Sequence, residues 1–178
     1  NNINVFLWFI NLCVTLVDVI YPVKYFKMYL IAIQSFMMLD VLNVILKLIP
    51  GQILTTLLQV ISRLIVVWFV LPDQQVPTLY NYLMSIAWSI AEIVRYSFYQ
   101  NKQLQWLKKI RYNMFFVLYP MGVLTGEIPL LWEHFNQYKR MADLIIILLY
   151  VPFFPYLYFH MIKQRNKQNK KDKQIKQE

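Results

Sequence analysis

Tyr119 and Glu127 are the residues of this sequence whose types best suit chemistry. They lie eight residues apart in the apolar run FFVLYPMGVLTGEIPLLW, residues 115–132. No Lys or Arg lies one helical turn from Glu127, so its carboxyl group must find a partner on another helix, take up a proton or react. A carboxyl group and a phenol can serve as general acid and base. The other interpretation is that Glu127 is an interfacial residue near the end of a membrane span.

Three further polar pairs lie inside apolar segments at helical spacing, which puts the two members of each pair on one helix face. The pairs are Asp40 with Asn43, Gln59 with Arg63, and Glu92 with Arg95. An ionisable group costs about 2.5 to 3.5 kcal/mol at the centre of a bilayer, so it usually faces the interior of a helix bundle. Each pair therefore predicts either a structural tie between helices or part of a site. Asp18, close to a helix end, is predicted to be interfacial.

Several kinds of site are excluded because their residues are missing. The three glycines form no phosphate-binding loop, and the sequence contains neither a G-x-S-x-G elbow nor an H-E-x-x-H zinc motif. The single cysteine, Cys13, allows no intrachain disulfide and no cysteine-based zinc site. His134 and His160 have no metal-ligand spacing between them. We therefore expect no aqueous hydrolase or nucleotide enzyme, no metal and no cofactor.

The composition is typical of an integral membrane protein rather than a soluble domain. Apolar residues make up 58% of the 178 residues, aromatic residues 17% and charged residues only 15%. The net charge of +9 comes from Lys and Arg that lie between the apolar runs and at the C-terminus. That pattern fits anchors in water and lipid headgroups better than a nucleic-acid groove. We expect membrane lipid, and no nucleic acid, among the partners.

Six apolar runs are long enough to cross a bilayer, which takes about 20 residues and at least about 17. They predict an all-α polytopic membrane protein, a bundle of six transmembrane helices. The helix-breaking strings LIPGQ (48–52) and LPDQQVP (71–77) lie on either side of the third run. The predicted spans cover residues 3–20, 29–49, 52–71, 80–99, 111–132 and 142–162. They form a helical domain over residues 1–162, followed by a basic tail over residues 163–178.

Six spans place both termini on one side of the membrane, and the Lys and Arg residues indicate which side. The side of the termini carries twelve of them, seven from Lys163 to Lys176, whereas the opposite side carries four, Lys24, Lys27, Lys139 and Arg140. Because positive residues concentrate on the cytosolic side, both termini are predicted to be cytosolic, or in the matrix if the membrane is the mitochondrial inner one. The tail is expected to be a solvated, partly disordered anchor near anionic lipid.

Along most of the chain, and in the same order, the sequence resembles the very-long-chain 3-hydroxyacyl-CoA dehydratases, also called protein-tyrosine-phosphatase-like membrane proteins. LDVLNVILKLIP and QVISRLIVVW resemble the family's second and third spans, and AWSIAEIVRYSFY resembles its fourth. RYNMFFVLYPMGV resembles the fifth, and VPFFPYLYFHMIKQR resembles the sixth with the start of its basic tail. EIVRYSFY and RYNMFFVLYPMGV are the most specific of these strings.

This resemblance implies dehydration of a (3R)-3-hydroxyacyl-CoA to a trans-2-enoyl-CoA, a step of fatty-acid elongation in the endoplasmic reticulum membrane. Acyl-CoA is then the substrate, and other enzymes of the elongation cycle are implied partners. The resemblance makes Tyr119 and Glu127 the catalytic pair. One of the two would remove the proton from carbon 2, and the other would protonate the departing hydroxyl. The residue types alone do not decide which of them has which role.

The resembling strings also supply candidates for substrate binding. These are Arg63, Glu92, Arg95, Tyr96, Arg111, Tyr112 and Gly122. Lys102, Lys108, Lys109 and Arg111 lie at the predicted cytosolic mouth of the fifth span, where they could bind the phosphates of CoA. The other interpretation is that they only anchor the span on its positive side.

The spacing of the catalytic pair departs from the family pattern, in which the tyrosine and the glutamate lie seven residues apart. At about 100° per residue, seven residues return to within about 20° of the same helix face, whereas eight end about 80° away. A one-residue insertion can form a π-bulge, and Pro120, Gly122 and Gly126 permit an irregular turn. The segment between Gly122 and Gly126 could therefore absorb the extra residue as a bulge, and such a bulge would bring Tyr119 and Glu127 back to one pocket.

Two functions of different classes follow. An active dehydratase would hold its acyl chain in a tunnel between the helices. The alternative is a dehydratase-like structural subunit, weakly active or inactive, of a larger membrane assembly such as a mitochondrial one. The eight-residue spacing favours the subunit, as does Asn43, which stands where the family commonly has histidine. Tyr119, Glu127, Arg95 and Arg111 favour the enzyme, because a scaffold has little need of a carboxylate inside the membrane.

Overall fold

The computed structural model describes residues 2–21, 23, 25–47, 53–74, 77–101 and 103–175, which fold almost entirely into helices. Two of the helical segments are short π-helical turns, here called π1 and π2, in which backbone amides reach back five residues instead of four. In chain order the elements are α1 (Asn2–Ile20), α2 (Phe26–Phe36), α3 (Met38–Ile45), α4 (Ile53–Ile65), π1 (Val66–Val70), α5 (Leu79–Gln100), α6 (Gln105–Gly122), π2 (Val123–Glu127), α7 (Ile128–Tyr138) and α8 (Met141–Ile175). The predicted all-α class is confirmed.

Most of these helices are suited to a bilayer. Within the described residues, five segments are long and apolar enough to cross one: Ile3–Ile20, Phe26–Ile45, Ile53–Val70, Gln105–Tyr138 and Met141–Lys170. The fourth predicted span corresponds to α5, whose 22 residues are long enough to cross but include polar side chains that face other helices. The chain is an all-α polytopic membrane protein. Among the described residues, each of the six predicted spans corresponds to one helix or to consecutive helical segments.

Three helix boundaries differ from the predicted spans. The second span is interrupted at Met37, which separates α2 from α3. The fifth rod begins at Gln105 and runs to Tyr138, and α8 continues to Ile175, through most of the predicted tail. Hydropathy marks the membrane-embedded part of a helix, whereas backbone hydrogen bonding continues into the polar flanks. The string LIPGQ (48–52) and Lys24 lie outside the described residues.

Small polar side chains hold α5 against α1. Asn11 Nδ2 donates to the Ser85 hydroxyl at 3.1 Å and to the Ser89 hydroxyl at 2.7 Å, and the hydroxyls of Thr15 and Ser85 are 2.8 Å apart. All four side chains are completely buried. Small residues let two helices approach closely, and interhelical hydrogen bonds between them stabilise the contact inside a membrane. They fix α5 at the centre of the bundle, with α6 on another side of it.

Asp18 lies near the end of α1, as predicted, and its carboxylate caps the turn that follows. The Val23 backbone amide donates to Asp18 Oδ1, and the Tyr82 hydroxyl donates to Asp18 Oδ2 at 2.9 Å. The side chain is buried, so this carboxylate is satisfied by protein groups, and its place at the membrane interface stays a prediction.

His134 lies between two carboxylates at the end of the bundle where α7 meets α8. Its Nδ1 is 2.8 Å from Asp143 Oδ2, and its Nε2 is 3.2 Å from Asp73 Oδ2. Arg140 pairs with the same Asp73 oxygen at 2.7 Å. These contacts tie the turn after π1 to α7 and to the start of α8. In the part of the chain that the structure describes, neither this cluster nor any other has a metal-binding arrangement of His, Cys, Asp and Glu.

Candidate active site

A cavity of about 360 Å³ lies between α4, α5, α6, π2 and α8. Tyr119 from α6 and Glu127 from π2 both line it. Apolar side chains cover much of its wall, among them Leu58, Ile61, Ile146, Leu149 and Phe153. A cavity of this kind, apolar with a few convergent polar groups, is typical of a small-molecule site.

The second π-helical turn accounts for the extra residue between Tyr119 and Glu127. Residues Val123–Glu127 are π-helical, and the backbone amide of Ile128 donates to the carbonyl of Val123, five residues back. The Thr125 hydroxyl donates to the Met121 carbonyl at 2.6 Å. The turn widens the helix by one residue, so a separation of eight still leaves both side chains on the cavity wall. The predicted bulge between Gly122 and Gly126 is confirmed.

Gly126 allows π2 to lie directly against α5. A Cβ atom at this position would lie 2.8 Å from the Met84 Cβ and 3.1 Å from the Met84 Cα. Such distances are too short for real atoms, so only glycine fits without moving a helix. At Gly122, one turn earlier, a Cβ would meet the Ala87 Cβ at an ordinary 3.6 Å. The close approach at Gly126 places the neighbouring Glu127 within reach of α5.

The carboxyl group of Glu127 has a separate partner for each oxygen. Trp88 Nε1 of α5 donates to Oε1 at 2.9 Å, and the Tyr150 hydroxyl of α8 donates to Oε2. The side chain is 3% exposed, and within the described residues no Lys, Arg or His forms an ion pair with it. Glu127 thus has the expected partner on another helix, and in fact two of them. Both are uncharged hydrogen-bond donors, one on α5 and one on α8.

Tyr119 is held by ring stacking and leaves its hydroxyl available. Its ring stacks on Phe154 with centroids 5.1 Å apart and planes inclined by 7°, and Tyr158 stacks at 6.4 Å. Both partners belong to α8. The hydroxyl makes no hydrogen bond to another residue that the structure describes. A phenol fixed in this way can donate to, or accept from, a ligand in the cavity.

An ion cluster lies beside the cavity, and it joins three helices. Glu92 Oε1 accepts from Arg63 at 2.6 Å and Glu92 Oε2 pairs with Arg95 at 2.7 Å, while Arg95 also pairs with Asp40. The Tyr96 hydroxyl donates to Asp40 at 2.6 Å. The predicted pairing of Glu92 with Arg95 is confirmed, as is the interpretation as a tie between helices.

The other two polar pairs find their partners elsewhere than on their own helices. Asp40 bonds to α5 rather than to Asn43, and Arg63 bonds to α5 rather than to Gln59. A partner on the same helix face competes with partners on the facing helix, and a buried ion requires an opposite charge. Among the described residues, α5 supplies that charge to both Asp40 and Arg63. The Arg63 guanidinium also lies over the Trp88 ring, 5.3 Å from its centroid.

Arg111 lines the cavity within a cage of aromatic rings. Its guanidinium lies 4.5 Å from the ring centroid of Phe98, 4.7 Å from that of Tyr99 and 5.6 Å from that of Tyr112. Within the described residues it forms no ion pair with a carboxylate. His160 and Gln164, hydrogen-bonded to each other at 2.8 Å, line the same end of the cavity. This end therefore offers an uncompensated positive charge to an anionic ligand.

The cavity gathers most of the predicted substrate-binding residues, but not all of them. It is lined by Arg63, Glu92, Arg95, Arg111, Tyr112 and Gly122. Tyr96 lies behind it, bonded to Asp40. Lys108 and Lys109 are outside its lining, and Lys102 lies outside the described residues.

Two residues at the centre of the site were missed by the sequence analysis. Trp88 stands in the string AWSIAEIVRYSFY, one helical turn before Glu92, and this spacing could have placed it on the same face. Tyr150 is 23 residues from Glu127 and belongs to a run rich in aromatic residues. Its contact with Glu127 depends on how α8 packs, for which no local signal exists.

The sequence has recognisable relatives. The family model described as protein tyrosine phosphatase-like protein, PTPLA, matches residues 34–171. The chain is 35% identical over 171 residues to very-long-chain (3R)-3-hydroxyacyl-CoA dehydratase 2 of Mus musculus, covering 82% of this chain and 64% of the mouse protein. It is 34% identical over 161 residues to dehydratase 1 of the same organism, covering 75% of this chain and 56% of that protein.

A nematode relative is covered more fully. The chain is 35% identical over 165 residues to very-long-chain (3R)-3-hydroxyacyl-CoA dehydratase hpo-8 of Caenorhabditis elegans, covering 75% of this chain and 73% of the relative. The chain thus spans 64% and 56% of the two mouse proteins, less than two thirds of each. No solved structure gives a significant match. The family match and these identities, each over most of the chain, establish that the protein belongs to the PTPLA family of protein tyrosine phosphatase-like proteins.

Proposed function

We propose that this protein dehydrates (3R)-3-hydroxyacyl-CoA to trans-2-enoyl-CoA, the activity for which its curated relatives are named. The observation that carries the proposal is that Tyr119 and Glu127 line one cavity although eight residues separate them. The π-helical turn at Val123–Glu127 removes the geometric objection to a working pair. The cavity has both the acid–base groups and the apolar wall that this reaction needs.

The local contacts favour one division of the roles. Elimination needs a base for the proton on carbon 2 and an acid for the hydroxyl on carbon 3. Glu127 is the base, because both of its oxygens accept hydrogen bonds, as those of an ionised carboxylate do, and an ionised carboxylate can take up a proton at neutral pH whereas a phenol has one to give. Tyr119, whose hydroxyl has no partner among the described residues, is the acid.

The reaction balances with these two groups alone. Glu127 takes the proton from carbon 2, and the C–H electron pair forms the double bond between carbons 2 and 3. The bond from carbon 3 to oxygen breaks, and the hydroxyl leaves as water with the proton of Tyr119. Transfer of the proton from Glu127 to the Tyr119 oxygen then restores the starting state.

The two ends of the cavity suit the two ends of the substrate. Leu149, Phe153 and their apolar neighbours would surround the acyl chain near the reacting carbons, and Arg111 would attract the anionic CoA portion. An arginine binds phosphate well because its planar guanidinium donates two parallel hydrogen bonds. Lys108 and Lys109 would then act near this end of the cavity, as a field that attracts the anionic substrate; the role of Lys102, outside the described residues, stays a prediction.

We place the protein in the endoplasmic reticulum membrane with both termini in the cytosol. The resemblance and the excess of Lys and Arg on the side of the termini support this proposal. Protease treatment of sealed microsomes should remove an epitope fused to the C-terminus. Protection of the epitope, or its recovery with mitochondria, would contradict the placement.

Turnover by the purified protein tests the function. Wild-type protein in detergent or nanodiscs should convert a long-chain (3R)-3-hydroxyacyl-CoA to the trans-2-enoyl-CoA, and Glu127→Gln and Tyr119→Phe should each lower kcat at least about 100-fold. Tyr156→Phe serves as a control, because Tyr156 is exposed on α8 outside the cavity lining. A wild-type rate equal to that of both active-site variants would indicate a structural subunit instead.

A further inference from the structure

Tyr150 contacts the candidate base from α8, whose neighbouring side chains are mostly exposed. Much of α8 is exposed, including Leu148, Leu149, Val151 and Phe153 around this position. The Tyr150 hydroxyl nevertheless points inward, lines the cavity and donates to Glu127 Oε2. It is the contact by which α8 reaches the carboxyl group.

We propose that Tyr150 is a positioning residue, whose hydroxyl holds Glu127 in the orientation required for proton abstraction. The inference rests on the proposed dehydratase function for its catalytic consequence. The hydrogen bond itself is independent of that function. Tyr150 is distinct from Tyr119, whose hydroxyl faces the same cavity without bonding to Glu127.

The two donors to Glu127 have different capacities. The Trp88 indole can only donate a hydrogen bond, whereas a phenol can donate or accept. Trp88 therefore fixes Oε1 in every state of the carboxyl group. Tyr150 can donate to the carboxylate and then accept from Oε2 after Glu127 has taken a proton, so its hydroxyl satisfies both forms.

Without the Tyr150 hydroxyl, Glu127 would be held at one oxygen only. A buried carboxylate that loses a charge-assisted hydrogen bond is destabilised in that position. The side chain could then rotate about its Trp88 contact, away from carbon 2 of the substrate. Misplacement of a catalytic group by a small distance is enough to slow a reaction considerably.

The test compares Tyr150→Phe with Tyr156→Phe, the same substitution further along α8 at an exposed side chain outside the cavity lining. Tyr150→Phe should lower kcat about 10- to 100-fold with little change in KM or Tm, and Tyr156→Phe should change none of the three. In a Glu127→Gln background, adding Tyr150→Phe should lower the residual rate no further. Two results would overturn the inference. One is an equal kcat for Tyr150→Phe and wild type, and the other is a loss of the same size whether Tyr150→Phe is added to wild type or to Glu127→Gln.

Difference infrared spectroscopy separates this inference from the proposed function. Subtracting the Glu127→Gln spectrum isolates the vibrations of the Glu127 carboxyl group. These bands should shift in Tyr150→Phe and stay in place in Tyr156→Phe, whether or not the wild-type protein turns over substrate. Unshifted bands would overturn the positioning role, whereas shifted bands in a protein without turnover would leave the positioning contact standing and overturn the dehydratase.

Discussion

Gly126 and Met84 are in contact through backbone and side-chain atoms, with no room between them for a methyl group. A Cβ on Gly126 would lie 2.8 Å from the Met84 Cβ and 3.1 Å from its Cα. This contact brings π2 against α5 and thereby aligns Glu127 with Trp88. The position of the candidate base thus depends on a residue that has no side chain.

Gly126→Ala should therefore destabilise the protein and impair turnover. The added methyl group must displace π2 or α5, and overpacking of this kind costs about 1 to 3 kcal/mol. Gly122→Ala provides a matched control for stability, because its methyl group would meet Ala87 at an ordinary 3.6 Å. Thermal unfolding in nanodiscs should rank Gly126→Ala well below Gly122→Ala, and equal melting temperatures would contradict the close contact.

Deleting Leu124 should be tolerated. The deletion shortens the Tyr119–Glu127 separation to seven residues and lets the π-helical turn close as a regular α-helix, and Leu124 is itself exposed. We expect a folded protein with turnover within about tenfold of wild type. Deleting the equally exposed Val117, in regular helix, should instead rotate the two halves of α6 by about 100° and abolish turnover. A similar loss of turnover in the two deletion variants would mean that the π-helical turn π2 does not result from a one-residue insertion.

Glu92→Gln should be among the most damaging substitutions outside the catalytic pair. Glu92 forms ion pairs with both Arg63 and Arg95, and removing one partner of a buried ion pair costs about 3 to 5 kcal/mol. Arg140→Gln, at a half-exposed pair with Asp73, should cost less than about 1 kcal/mol. Unfolding measured side by side on the two variants checks the difference. If Glu92→Gln lowers the free energy of unfolding no more than Arg140→Gln does, Glu92 is not the required counter-charge of the two arginines.

Arg111→Gln should raise KM for the acyl-CoA at least about tenfold with little change in kcat, because the guanidinium lies away from the reacting carbons and contributes uniform binding. Lys109→Gln, at an exposed residue outside the cavity, should change KM less than about threefold at physiological salt, where exposed charges are screened. Steady-state kinetics over a range of substrate concentrations distinguishes the two. A fall in kcat at unchanged KM would place Arg111 at the chemistry instead of at the mouth.

Local features of the sequence predicted the parts of the molecule that depend on local physics. Hydropathy located the six helical rods, and spacing identified Glu92 with Arg95. The bulge could be predicted because one extra residue beside Gly122 and Gly126 has few other ways to be accommodated. The interruption at Met37 and the turn π1 lack such a signal, since neither Pro nor Gly lies within them.

The partners of the buried ionisable groups could not be predicted in the same way. Asp40 could bond to Asn43 on its own helix, but its partner is Arg95, which reaches it from α5. Trp88 and Tyr150 converge on Glu127 from two other helices. Such contacts depend on the rotation of each helix about its own axis, and many rotations satisfy the same hydropathy pattern.

The hydrogen bonds of Asn11 also bear on where a usable piece of this protein can begin. The family match starts at residue 34. Asn11 and Thr15, which precede it in α1, nevertheless form hydrogen bonds with Ser85 and Ser89 in the middle of α5. A fragment cut at the family boundary would leave the Ser85 hydroxyl without its Asn11 and Thr15 partners and facing lipid, where a polar group without a partner is costly. For expression and structure determination, the smallest autonomous unit therefore includes the first helix.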